Sequence, residues 1–414
     1  MRDEGINFVH NIVVLIFLIL SGLSSQALAV VSVLPGIDVL EQRAFDILQG
    51  KRVGLITNHT GRSRDGRSSI DILRKAHGVR LVALFSPEHG IRGIEDVKLP
   101  SGIDPVTALP IHSLYGASCS PMPEMLREVD VLLFDIQDIG TRFYTYIGTL
   151  SLAMEAAGKA GIPFVVLDRP NPIGGLAVGG AVPKLPERAT GCGSITSIHP
   201  IPTRHGMTVG ELARLFNAEF GIGCNLTVIP LEGWQRSMHY DQTGMTWINP
   251  SPNMKSLDAA LLYPGAGVLE STNISVGRGT ESPFQMYGAP WVDARAVSAN
   301  LAQRKIPGLS FEQCSFVPVT PGQPHAGKRC FGVRVMVTDR EKLHPILAGL
   351  HIVQAFYESH PERFRSYEGF AVEVGDHEVW NLLTGKNKRP EVVAERWKAD
   401  LERFRKVRER YLLY

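Results

Sequence analysis

The 414 residues contain no P-loop, no HExxH helix and no GxSxG elbow. These absences remove the commonest signatures of phosphate-cradling NTPases, zinc peptidases and nucleophile-elbow hydrolases. No dense run of Lys and Arg occurs, and 43 basic against 41 acidic residues leave a formal charge of +2. Such a chain offers no long-range field to a polyanion, so nucleic acid is not an expected partner. Gly277-x-Gly279 lacks both the third glycine and the preceding strand of a dinucleotide fingerprint. Neither a nucleotide nor any other cofactor is therefore expected. No internal repeat and no low-complexity tract is present. Cysteine is scarce, with five residues at 119, 192, 224, 314 and 330 and no CxxC. An odd count allows at most two disulfides. Cys314 with Cys330 and Cys192 with Cys224 are the candidate pairs; buried unpaired thiols are the alternative. The cysteines alone supply no metal ligand set.

What is present is the composition of a chain that buries large cores, with 44% hydrophobic and 20% charged residues. The length suggests two domains. Residues 12–20 form an apolar run too short for a comfortable membrane span. Ala27-Leu28-Ala29 follows with the small-x-small pattern of a cleavage site, so residues 1–29 read as a signal peptide. The preceding stretch holds Arg2 but also Asp3 and Glu4, and so departs from the usual net positive start. The expectation is an exported protein, periplasmic or secreted, touching a membrane only if that segment is retained. The mixed charges of 389–410 read as a solvated helix face.

Past residue 29, short apolar β-rich runs at 52–57, 80–85, 131–135 and 163–168 alternate with helical patterns at 38–49, 67–77, 121–128 and 147–160. Nearly continuous hydrophobicity marks strands covered on both faces of a parallel sheet. The order predicts a doubly wound, mostly parallel α/β domain over 30–231. Thr208 with Glu211 has the capping-box pattern of a helix over 208–220, and a strand near 226–230 closes the domain. From 232 to 291 the chain is dense in Gly, Pro, Asn, Ser and Trp, which reads as long ordered loops lining a pocket. A strand at 332–338 and helices at 341–359 and 391–410 complete a smaller α+β domain, 232–414.

Ligands of such sheets sit beyond the carboxyl ends of the strands, so the loops there carry the candidate chemistry. Glu88 in Ser86-Pro87-Glu88-His89-Gly90 is the first candidate. Pro87 and Gly90 fix its turn, and partial desolvation would suit it to general acid work. His89 would orient it or touch substrate. Asn58 follows the first run. The loop after 135 presents Asp138, Thr141, Arg142, Tyr144 and Tyr146, a set suited to acid–base work, anion binding and stacking on a sugar. Asp168, Arg169 and Asn171 present an acid, a guanidinium and an amide between two prolines. His205, Asn249, Glu270, Asn273 and Arg278 lie on later polar loops. Each has a plainer reading as a cap, an ion pair or a packed core group.

The strings GLITNHTG, FSPEHGIRG, LLFDIQDIGTRFYTYIGTL, VLDRPNPIGG, PTRHGMTVGEL, WINPSPNM, LESTN and GRGTESPF resemble those of the exo-β-N-acetylmuramidase family. The resemblance covers nearly all of the chain beyond residue 29, with one departure, Ser271 where a glycine is common in relatives. It implies a Rossmann-like domain, in topology only, with a C-terminal auxiliary domain and a pocket between them. It also implies a glycosidase that removes N-acetylmuramic acid from the non-reducing ends of peptidoglycan fragments, with Glu88 as the acid. Glycosidases need two carboxyl groups, and Asp138, Glu270 and Asp168 are the candidate partners. Arg142, Arg169 or Arg278 would meet the lactyl carboxylate. Two other readings remain open at this point. One is a metal-dependent hydrolase using Glu88, His89, Asp135, Asp138 and His205, and the other a wall-binding protein without catalysis.

Overall fold

The computed structural model describes residues 32–93, 100–116, 118–184, 195–385 and 389–414. The segment read as a signal peptide and Cys192 lie outside them.

Seven strands form the larger sheet: β1 (Arg52–Thr57), β2 (Arg80–Ser86), β3 (Gly102–Ile103), β4 (Pro110–Ser113), β5 (Val131–Asp135), β6 (Phe164–Leu167) and β7 (Leu226–Ile229). Their order is β3-β4-β2-β1-β5-β6-β7, all parallel except β3. The apolar runs are continuous because successive residues enter different cores. Ile56, Phe85, Leu132, Phe134, Phe164 and Val166 face one side, where they meet Leu150 and Met154 of helix Tyr146–Ala160 and Leu212 and Phe216 of helix Val209–Glu219. Val53, Leu55, Leu84, Leu133 and Val165 face the other, against Leu40 of helix Gly36–Gln42 and Leu73 of helix Ser69–Lys75. Helices thus cover both faces, as the sequence leads one to expect. The capping box also forms: the Thr208 hydroxyl accepts from Glu211 N (3.2 Å), and the Glu211 carboxylate accepts from Thr208 N (3.0 Å).

A second sheet, β8 (Met286–Ala289), β9 (Leu309–Phe316) and β10 (Cys330–Val337), is antiparallel in the order β8-β10-β9. Its buried side and helix Pro345–Ser359 share one continuous core with the first face of the large sheet. The two halves therefore have a common interior.

Three expectations are corrected. The stretch 232–291 is not all loop, since it contains helix Leu257–Ala266 and β8. Ser256 caps that helix (Ala259 N to Oγ, 3.1 Å), but residues 259–266 are all buried and Pro264 lies inside it, so no amphipathic period betrays it. The last helix is two, Pro390–Glu395 and Lys398–Arg408. Neither proposed disulfide forms, because Cys224, Cys314 and Cys330 are free. The antiparallel register sets Cys314 opposite Gly332 and Cys330 opposite Phe316, so the thiols do not face one another. Cys119 is disulfide-bonded.

Helices Leu257–Ala266 and Pro345–Ser359 cross at two glycines. A Cβ on Gly349 would lie 2.0 Å from the Gly265 carbonyl oxygen, and one on Gly265 would lie 1.7 Å from that of Pro345. Gly349→Ala must push the helices apart. We expect it to lower the unfolding free energy by about 1–3 kcal/mol in urea titration, with little change in secondary structure by circular dichroism.

Candidate active site

Because β2 lies on one side of β1 and β5 on the other, the loops leaving β1 and β5 diverge and open a crevice at the carboxyl edge. Asn58 is fixed there by its own loop: its Oδ1 accepts from Thr60 N (2.9 Å) and Thr60 Oγ1 (2.6 Å). Thr60 Oγ1 in turn accepts from Gln137 N (3.0 Å), lacing the two loops together. His59 bonds the Asn249 carbonyl through Nε2 (2.7 Å), and the Tyr146 hydroxyl donates to the Pro250 carbonyl (2.6 Å). Both bonds hold segment 249–250 over the crevice. Burial pushes the His59 imidazole below its ordinary pKa, with Arg62 and His89 adding to the effect.

Glu88 sits two residues past β2, in a turn where His89, Gly90 and Gly93 all have positive φ (69°, 74° and 66°). A non-glycine residue in that region is uncommon, and the bend it supports turns the chain sharply at the carboxylate. The Thr145 hydroxyl donates to Glu88 Oε2 at 2.6 Å. Thr145 is the N-cap of the 15-residue helix Tyr146–Ala160, so Glu88 meets the positive end of that helix. Glu88 remains partly exposed.

Asp138 is almost fully buried. Its Oδ2 accepts from Gly140 N (2.7 Å), while Oδ1 is buried without a hydrogen-bond partner among the described residues. Burial drives its pKa up to about 7, against the lowering effect of the Gly140 and Ile139 amides. Glu88 and Asp138 both act on the Tyr144 and Tyr146 hydroxyls, whose pKa values burial raises far above normal. The four groups therefore share one electrostatic environment. The two tyrosine rings meet edge to face at 5.0 Å, and Tyr144 continues to Tyr263 (5.9 Å) and from there to Phe284 (4.8 Å).

This aromatic wall leads to the contribution of the second half. Arg278 Nε donates to Glu270 Oε1 at 2.5 Å, the Tyr263 hydroxyl donates to Glu270 Oε2 at 3.3 Å, and the guanidinium lies 5.6 Å from the Phe284 ring centre. Arg278 also lies within electrostatic reach of Tyr144. Glu373, on helix Gly369–Val374, joins this cluster. Burial, reinforced by the like charge of Glu270, pushes its carboxyl up to about 8.

The remaining candidates have structural partners. Thr141 bridges Arg204, its hydroxyl buried without a hydrogen-bond partner among the described residues. Arg142 donates to the Ser197 hydroxyl and to the carbonyls of Val372 and Glu373, tying down a short helix. Asp168 accepts from Arg169 N, Gly210 N, Thr208 Oγ1 and the Tyr414 hydroxyl at 2.7–2.9 Å, yet burial still raises its pKa to about 6. Arg169 is paired with Asp135 at 2.5 Å. Asn171 bonds Met207 O and Ile173 N, and Asn273 bonds Arg363 O and Arg365 N. His205 is driven down to about 3 by burial and by Arg408, Arg204 and Arg236. Asn249 is exposed and touches the crevice through its carbonyl. The set considered for a metal is dispersed. Asp135 serves Arg169, His205 lies among arginines, and no group of three or more His, Cys, Asp or Glu among the described residues is arranged to hold an ion.

Sequence reasoning missed Thr145, Tyr263 and Glu373. The signal for Glu373 was one acid inside the apolar run Phe370-Ala371-Val372-Glu373-Val374; Thr145 and Tyr263 carried none. Folded Glu373 keeps its proton between pH 4.5 and about 8, where the unfolded chain has released it. The native state then binds more protons, so stability falls as pH rises through that window. We expect Glu373→Gln, which mimics the protonated form, to flatten this fall, so that the variant gains Tm over wild type at pH 8.5 but not at pH 4.5.

Comparison with known proteins places the chain in a family. The N-terminal profile of exo-β-N-acetylmuramidase NamZ matches residues 53–258 and the C-terminal profile residues 261–414. A peptidoglycan β-N-acetylmuramidase NamZ from Bacillus subtilis (strain 168) is 42% identical over 382 residues, which cover 92% of this chain and 91% of the relative. Two crystal structures of DUF1343 family proteins from Bacteroides fragilis NCTC 9343 have the same fold. One superposes with a TM-score of 0.84 at 39% identity, covering 93% of this chain and 99% of the other. The second gives 0.74 at 33% identity, covering 92% and 99%. With both profiles together spanning nearly all of its described residues, the chain belongs to the exo-β-N-acetylmuramidase NamZ family.

Proposed function

We propose that the protein is an exo-acting glycosidase that releases N-acetylmuramic acid from the non-reducing ends of peptidoglycan fragments. The observation that carries the mechanism is Glu88, a partly exposed carboxyl held by Thr145 at 2.6 Å in a rigid turn and acting on the same two tyrosines as a second, buried carboxyl, Asp138. Glu88 gives its proton to the glycosidic oxygen as the C–O bond breaks. The bond electrons leave with the departing sugar, and water completes the anomeric carbon. Asp138 serves as the second carboxyl. Its Oδ1 is unengaged, and a pKa of about 7 suits a group that accepts a proton near neutral pH. Glu270 is held by Arg278 and Tyr263 and fits an orienting role better. Arg278 is the cation for the lactyl carboxylate, since it keeps 21% of its side chain exposed beside its bond to Glu270, whereas Arg142 and Arg169 are buried. Tyr144 and Tyr146, read from sequence as a stacking surface, are buried in the core and form the wall behind the crevice instead.

The name of the Bacillus subtilis relative supports the substrate. Export to the periplasm or beyond is part of the proposal, resting on the apolar run 12–20, the Ala27-Leu28-Ala29 pattern and the location of peptidoglycan. Mass spectrometry of the native protein, with the first residue at Val30, tests it.

Glu88→Gln is expected to lower kcat by roughly 10²–10⁴-fold on a MurNAc–GlcNAc disaccharide, and much less on an aryl muramide whose leaving group needs no proton. Equal activity of wild type and variant on the disaccharide would remove Glu88 as the acid. Binding without turnover by the wild type would leave a wall-binding protein. Asp138→Asn should lower kcat on the disaccharide by roughly 10²–10⁴-fold and remove from the pH profile of the rate the ionisation near 7.

A further inference from the structure

Thr145 stands at the N-cap position of helix Tyr146–Ala160, where a threonine ordinarily turns its hydroxyl onto the helix and accepts from a first-turn amide. It does not do so here. Its backbone is already helical, at φ −68° and ψ −17°, and its side chain makes no cap bond. The hydroxyl is given instead to Glu88, 57 residues earlier in the chain, 2.6 Å from Oε2. The helix thus starts without the side-chain cap that its own sequence could supply. A residue that departs from its local preference in this way points to a function for the contact it makes instead.

The side chain is held for this contact. Threonine is branched at Cβ, which restricts rotation about χ1. The Thr145 carbonyl accepts from Thr149 N (3.0 Å) and from the Thr149 hydroxyl (3.4 Å), and the next residue is tied to the Pro250 carbonyl through the Tyr146 hydroxyl (2.6 Å). Tyr144 and Tyr146, on either side of Thr145, are buried. The half-buried hydroxyl therefore projects from a fixed support.

Two consequences follow for proton transfer. While the Thr145 O–H donates to Oε2, the carboxyl carries its own proton on Oε1. When that proton moves to the glycosidic oxygen and the C–O bond electrons leave with the departing sugar, a negative charge remains on Glu88. The bond from Thr145 then becomes charge-assisted and roughly twice as strong, with the positive end of the helix beside it. An interaction that strengthens as charge develops lowers the barrier rather than improving the binding of substrate.

We infer that Thr145 is a positioning residue for the acid step, keeping the transferable proton on Glu88 Oε1 and stabilising the carboxylate left behind. This role rests on Glu88 being the acid proposed above.

Thr145→Val removes the hydroxyl and keeps the shape, whereas Thr145→Ser keeps the hydroxyl. On the MurNAc–GlcNAc disaccharide Thr145→Val should lower kcat by roughly 10–100-fold and leave KM nearly unchanged. On an aryl muramide, whose leaving group needs no proton, the loss should be less than about threefold. Thr145→Ser should restore the disaccharide rate. Thr145→Ala, which cannot crowd the turn, should repeat the pattern of Thr145→Val. The double variant Glu88→Gln/Thr145→Val should be no slower on the disaccharide than Glu88→Gln alone, because Thr145 acts through the carboxyl. Wild-type kcat in Thr145→Val, an equal loss on both substrates, or a further loss in the double variant overturns the inference. If Glu88→Gln is slow and Thr145→Val is not, this role alone falls; if Glu88→Gln is fully active, the acid assignment falls with it.

Discussion

Asp135 and Arg169 meet at 2.5 Å with 1% and 2% of their side chains exposed, and much of the crevice is built outward from that contact. Asp135 ends β5 and also takes the Ser69 hydroxyl, while its carbonyl accepts from Thr57 at the end of β1. Arg169 begins the loop after β6 and reaches the Arg62 carbonyl. Three parallel strands and the start of a helix are thereby pinned at their carboxyl ends. A charge pair this deep contributes little net stability against an apolar substitute, yet losing one partner strands the other at a cost of about 3–5 kcal/mol. Its contribution is geometric. The loops bearing Asn58, Asp138 and Thr145 leave from a floor that cannot shear.

The site is made of both halves of the chain, which meet there through aromatic rings, while ion pairs such as Glu219–Arg410 and Glu211–Arg236 join them elsewhere. Tyr144 and Tyr146 come from the half that carries the large sheet, Tyr263 and Phe284 from the second half, and each contact is edge to face. Rings packed in this way fix distance and angle together. The carboxyl groups on either side, Glu88 and Asp138 from one half and Glu270 and Glu373 from the other, are held apart by a rigid apolar partition. Burial raises the pKa of Asp138 and Glu373, so two of the four are wholly or partly protonated near neutral pH, which limits repulsion in a crowded space.

The strands were legible from sequence because residues buried on both faces leave an apolar run, and Thr208 with Glu211 wrote its helix start in two residues. Glu88 stood out because Pro87 and Gly90 flank it. What escaped was anything defined by a distant partner. Asp168 and Arg142 look like binding groups at strand ends until their partners 40 to 246 residues away are known. Helix Leu257–Ala266 escaped for a different reason, since a segment surrounded by protein has no polar face to set its period.

The continuous core has a consequence beyond stability. Helix Leu257–Ala266 lies at the seam between the two matched segments and packs tightly on Pro345–Ser359, with Gly265 against Gly349. A crossover near residue 260 between two distant homologues would join half-cores shaped for different neighbours. A substitution on one side of the seam therefore has to fit the shape of the other.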